Sequence, residues 1–159
     1  MDIVRRAVWP LRIMLVLTFA ILVVFQVMSF PGQWAHMARE DPDLAWLRWP
    51  LTAYTTVLIL CGEVVLACTW RLLTMVQEDR IFTEQALPWT DRIIAAIAVG
   101  WALVAGLFLV VGFTADDPAG PLILLAALLG GGTFGLLMLI MRSLLTQAAT
   151  LRTDMAGVI

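Results

Sequence analysis

Polar residues divide this chain into four apolar runs. The first, Ile13–Phe30, follows Arg5, Arg6 and Arg12 and stops at "FPG". The second, Leu51–Trp70, opens after Pro50 and closes at Arg71. The third, Ile93–Phe113, lies between Arg92 and the acidic turn "TADDPAGP"; the fourth, Leu122–Met141, ends at Arg142. Each run has about the 20 residues a helix needs to cross a 30 Å hydrocarbon core. The pattern predicts an all-α membrane protein, with four transmembrane helices in one bundle and a single domain over 1–159. The first run is longer than the apolar part of a cleaved leader, and no small-x-small site follows it. It is expected to remain as a span.

Composition agrees with the pattern. Of 159 residues, 62% are hydrophobic and 14% charged, a surplus of apolar surface that calls for a solvent other than water. The net charge of -2 and the lack of a basic run argue against direct nucleic-acid binding. Cys61 and Cys68 are seven apart, about 10 Å along a helix, too far for a disulfide or a shared metal. His36 is the single histidine, and no phosphate-binding glycine loop, dinucleotide fingerprint or hydrolase motif occurs. No metal, no cofactor and no enzymatic activity are expected.

All ten basic residues are arginines, and their distribution orients the chain. Arg5, Arg6, Arg12, Arg71, Arg80, Arg92, Arg142 and Arg152 fall on one side of the four spans, Arg39 and Arg48 on the other. The positive-inside rule places both termini in the cytoplasm of a bacterial plasma membrane (N-in, C-in). Trp34, Trp46 and Trp49 then mark the outer interface, and Trp9, Trp70 and Trp89 the inner one. His36, Glu40, Asp41 and Asp43 are read as part of a solvated outer loop over 31–49.

Small residues suggest where helices meet. Ala98, Ala102 and Gly106 recur at four-residue spacing in the third span, and Gly131 and Gly135 in the fourth. Such spacing lets backbones approach closely where lipid offers no hydrophobic drive; the plainer reading is that small residues are common in spans. A homo-oligomer and contacts within one chain both fit.

On the inner side, the 71–92 segment and the tail stand out. "WRLLTMVQ" is expected to extend the second helix, and Thr83 with Glu84 to start another. Pro88 either kinks or restarts that helix. Leu144, Ala148, Leu151 and Met155 recur at helical spacing, so the fourth helix should continue as an amphipathic tail. Arg80, Phe82, Thr83, Glu84, Leu151 and Met155 form the expected partner surface.

Glu63 is the one carboxylate inside an apolar run. On an ideal helix it shares a stripe with Thr52, Thr56, Ala67, Trp70 and Thr74, which should face the bundle. A bare charge at that depth costs at least ~2.5 kcal/mol, so a carboxyl that keeps its proton is expected. Gln26 and Thr133 are the candidate hydrogen-bond partners. On that basis Glu63→Leu should cost about 0.6 kcal/mol. The functional reading is a proton-responsive or ligand-contacting site; the plain one is a buried polar residue that sets helix register. No second acid, histidine or arginine shares its depth, and the plain reading is favoured.

The stretch from Cys68 to Gly100 resembles an uncharacterised bacterial membrane family, domain of unknown function 2975. The likeness rests on "WRLLTMV" (Trp70–Val76), "IFT" (Ile81–Thr83) and the Asp-Ile-Ile opening of a third span, here Asp91–Ile94 with Arg92 interposed. The ending "LRTDMAGVI" is similar to the family's Leu-Arg, acidic patch and Val-Ile. Pro88–Trp89 and Ala156–Gly157 depart from the pattern. The resemblance implies four spans with both ends inside and names no activity. Members are often encoded beside a small helix-turn-helix regulator, which implies a cytosolic DNA-binding partner. An auxiliary role in a larger membrane complex, and a carrier of protons or a small molecule centred on Glu63, are the alternatives.

Overall fold

Pro31 marks the first departure from the polar punctuation. The computed structural model describes residues 2–78, 83–114 and 118–156, and in it the chain does not break at "FPG". Helix α1 (Asp2–Val24) leads into a π-helical turn, Phe25–Ser29, and straight on into α2 (Phe30–Glu40). Proline has no N–H, and its ring crowds the carbonyl one turn back. The wider π turn, closed by the Phe30 N–H donating to the Phe25 carbonyl, comes just before that point and absorbs the misfit. The first part of the expected loop over 31–49 is thereby corrected to helix, as far as Glu40. After α2, Asp41 turns extended (φ -121°, ψ 90°), and a 3-10 turn, Pro42–Leu47, leads to the next helix.

Helix α3 (Arg48–Gln77) carries Pro50 in its first turn, where the missing N–H is not needed. Its 30 residues span roughly 45 Å and overshoot a bilayer core, as "WRLLTMVQ" predicts. A 3-10 turn, Glu84–Ala86, precedes α4 (Leu87–Thr114), so Pro88 restarts the helix rather than kinking it. The Ala86 N–H donates to the Thr83 carbonyl at 3.0 Å. Helix α5 (Ala119–Ala156) has 38 residues, roughly 57 Å, so the fourth helix does continue past its apolar run.

Four helical stretches are long and apolar enough to cross a membrane: Val8–Glu40, Ala45–Gln77, Leu87–Phe113 and Ala119–Ala148. No strand occurs among the described residues. Large apolar side chains such as Met14, Phe113 and Leu137 stand exposed along these helices, a surface suited to lipid and not to water.

Two compact units divide the chain, Met1–Leu66 and Ala67–Ile159. In the first, α1 approaches α3 at a glycine: a Cβ on Gly62 would lie 3.6 Å from Leu22 Cδ1. Trp34 Nε1 of α2 donates to Thr55 Oγ1 of α3 at 3.4 Å, and that hydroxyl donates onward to the Leu51 carbonyl at 2.8 Å. In the second unit α4 and α5 pack as an antiparallel pair. Positions 111 and 120, 101 and 131–132, 97 and 135, and 91 and 142 meet in turn. Its buried residues among those described are Cys68 and Met75 of α3 and Ala86, Thr90, Ile93 and Ala96 around the start of α4. Thr90 satisfies its hydroxyl in this core by donating to the Ala86 carbonyl at 3.3 Å.

Candidate functional site

Glu63 lies in α3 beside Gly62, the residue that brings α1 close. Its Oε1 is buried and has no hydrogen-bond partner among the described residues. The expected hydrogen bond is not seen at this oxygen. Gln26 falls in the π turn and is half-buried. Thr133 spends its O–H on the Leu129 carbonyl of its own helix, at 2.8 Å. Thr52 and Thr74 likewise donate one turn back, to Arg48 and Trp70 carbonyls at 2.8 and 3.1 Å. Hydroxyls satisfied this way need nothing from a neighbouring helix, so the threonine stripe does not have to face protein. Thr56, on the same stripe, is half-buried. A carboxyl cannot reach its own backbone so easily, and Glu63 Oε1 is left buried with its demand unmet. A buried polar atom without a partner calls for an explanation in function, lipid or ligand.

The α4–α5 contact is built around an indole that the apolar pattern does not single out. Trp101 Nε1 donates to the Leu128 carbonyl of α5 at 2.9 Å. A Cβ on Gly131 would sit 3.4 Å from Trp101 Cδ1, one on Gly132 3.4 Å from Nε1, and one on Gly135 3.4 Å from Ile97 Cγ2. Glycine there lets the flat ring lie against the backbone and find its acceptor. A signal does exist in the sequence, since an indole N–H in mid-span must find a partner. Gly131 and Gly135 thus do line a helix contact. Ala98, Ala102 and Gly106 do not line it: they are exposed, and a Cβ on Gly106 would meet nothing within 4 Å.

The end where α4 starts holds the charged groups. Arg142 of α5 grips Asp91 of α4 side-on, Nε to Oδ1 and Nη2 to Oδ2, the latter at 3.2 Å. Both side chains are nearly half exposed, so the pair fixes register more than it stabilises. The antiparallel pairing of the last two spans brings the residue that opens one beside the residue that closes the other. Of the expected partner surface, Arg80 and Phe82 lie outside the described residues, as do the side chains of Glu84 and Met155. Thr83 is half-buried and Leu151 exposed. Much of the neighbouring segment is core: Ala86 and Thr90 are 1% and 3% exposed.

His36 and Glu40, one turn apart on α2, approach to 3.4 Å over an open groove lined by Gly32, Gln33 and Met37. Both are strongly exposed, as expected for solvated groups, though they stand on a helix. No cluster of histidine, cysteine and acidic side chains suited to a metal ion occurs among the described residues.

No curated protein and no solved structure matches the chain. A family does: the one described as "Protein of unknown function (DUF2975)" matches residues 32–159, from the turn of α2 at Pro31 to the end of the tail. The matched region takes in the packed start of α4, the Asp91–Arg142 clasp and the glycine-faced contact of α4 with α5, and this chain belongs to that family.

Proposed function

We propose that this chain is a bacterial plasma-membrane protein with both termini in the cytoplasm, which serves without catalysis of its own as the membrane partner of a cytosolic helix-turn-helix regulator. The observation that carries this reading is the overhang of α5. The helix runs on to Ala156, roughly 20 Å beyond Arg142, and presents Leu151 at 64% exposure. An apolar side chain on a helix end that has left the bilayer suits a protein partner docking helix to groove. The eight-to-two arginine bias supports a cytoplasmic position for that end.

Orientation is checked by labelling. With Cys61 and Cys68 replaced by alanine, Leu151→Cys should stay unlabelled by an impermeant maleimide in intact cells and react after permeabilisation. Labelling before permeabilisation would reverse the orientation and remove the basis for a cytosolic partner.

Partnership is checked by co-purification in mild detergent with mass spectrometry. A soluble DNA-binding protein at stoichiometric yield is the expected result. Leu151→Asp combined with Arg80→Glu and Glu84→Arg should cut that yield at least about tenfold, the loss that one or two interface anchors carry. The exposed Ala98–Ala102–Gly106 face supports a second reading, an auxiliary subunit of a larger membrane complex, because another helix could approach it closely. Recovery of an integral membrane protein, undiminished by the Leu151 variant, would select it.

A further inference from the structure

Trp89 is flanked by guanidinium groups from two helices. Arg92, three residues along α4, places its Cζ 4.4 Å from the ring centroid, and Arg71, near the end of α3, lies at 5.9 Å. Both fall within the reach of a cation–π contact, and both arginines are exposed. Among the described residues neither forms an ion pair. Asp91 adjoins Arg92 in sequence, but its two oxygens are taken by Arg142. Two like charges thus share one aromatic ring with no anion between them among the described residues, an arrangement that repels unless something negative joins it. The platform is firm, since Met75, Ala86, Thr90 and Ile93 are all buried in the same unit.

Position names the missing anion. Arg71 closes one apolar run and Arg92 immediately precedes another, so the cluster stands where hydrocarbon gives way to headgroups. Tryptophan favours that depth, and paired basic residues there attract anionic lipid. We propose that Arg71, Trp89 and Arg92 form a binding site for the phosphate of an anionic phospholipid. The two guanidinium groups donate to the phosphodiester oxygens, and the indole lies at the boundary between headgroup and acyl chains. Simple anchoring would be indifferent to the headgroup; this site is not. The inference does not depend on which side of the membrane the cluster faces or on any protein partner.

The test uses the full chain in neutral detergent, with phosphatidylglycerol, phosphatidylcholine or inorganic phosphate added, read by native mass spectrometry and thermal unfolding. Phosphatidylglycerol adducts should survive collisional activation and raise the melting temperature; the zwitterionic lipid and millimolar phosphate should do neither. Arg71→Gln with Arg92→Gln should lower the preference for the anionic lipid by about tenfold or more. Arg39→Gln with Arg48→Gln removes the same charge elsewhere and should leave the preference intact. Should the glutamine pair fail to fold, Arg71→Lys with Arg92→Lys keeps the charge, loses the forked donors and should show a partial loss. Equal retention of both lipids by the parent protein would overturn the proposal. So would a preference unchanged in the Arg71/Arg92 variants, an equal loss in the Arg39/Arg48 pair, or a shift by inorganic phosphate as large as that by lipid.

Discussion

Gly132→Leu is expected to destabilise the protein by about 2–3 kcal/mol, read as a lowered unfolding midpoint in detergent followed by circular dichroism. A single Cβ at this position lands 3.4 Å from Trp101 Nε1, an ordinary contact, so Gly132→Ala should cost little. Leucine adds three further carbons in the direction of the indole. Either α5 moves away from α4 or the ring swings out and gives up the Leu128 carbonyl, leaving the indole N–H unpaired in hydrocarbon. Gly130 is the control. A Cβ there would meet nothing within 4 Å, so Gly130→Leu should be neutral or stabilising through its better helix propensity. A double-mutant cycle makes the claim specific: in a Trp101→Ala background most of the Gly132→Leu penalty should vanish. Strictly additive penalties would mean that the ring and the glycine do not share a contact.

Glu63→Leu is expected to leave stability unchanged or raise it by up to about 1 kcal/mol, whereas Glu63→Lys should lower it by about 2.5–3.5 kcal/mol. The first sign reverses the one that the sequence implies, which assumes a hydrogen bond for leucine to remove. With Oε1 buried and unpartnered among the described residues, leucine removes an unmet demand and keeps the volume. Lysine carries a longer, charged side chain into the same apolar run, where no carboxylate is at hand. Glu63→Gln should fall near the parent, since the amide has the size of the acid and is no better satisfied at that oxygen. Unfolding midpoints of the three variants check the order. A clear loss in Glu63→Leu would mean the carboxyl has a partner after all. A stable Glu63→Leu protein that fails to complement a deletion strain would show that the acid is retained for activity, which favours the carrier reading over helix register.

The four spans, the helical class, the overshoot of α3 and the helical tail are all legible in the order of the amino acids. Each is a one-dimensional property: a run of apolar residues has a length, a bilayer has a thickness, and arginine or proline–glycine marks where a run stops. The same logic misplaces the end of the first helix. Phe30–Pro31–Gly32 looks like a stop, yet a π turn at Phe25–Ser29 accommodates the proline, and the helix continues to Glu40. Whether a proline breaks a helix depends on whether the backbone one turn earlier can widen, which composition does not express.

What tertiary structure alone decided is which face meets which. Ala98, Ala102 and Gly106 and the row Ile97–Trp101 are both helical stripes on α4, and only the second lies on α5. In water the buried stripe announces itself by hydrophobicity. In lipid both stripes are already in an apolar solvent, so the choice rests on packing and on the single donor that must find an acceptor. Trp101 supplies that donor and Gly131–Gly132 the flat surface to receive it. Asp91 and Arg142 meet because the antiparallel pairing carries the start of α4 to the depth where α5 leaves its apolar run. Glu63 stands out in the sequence as a charge among apolar residues, but that its Oε1 would be buried without a partner was settled by three-dimensional surroundings, because the threonines of its stripe can satisfy themselves on their own helix and a carboxyl cannot.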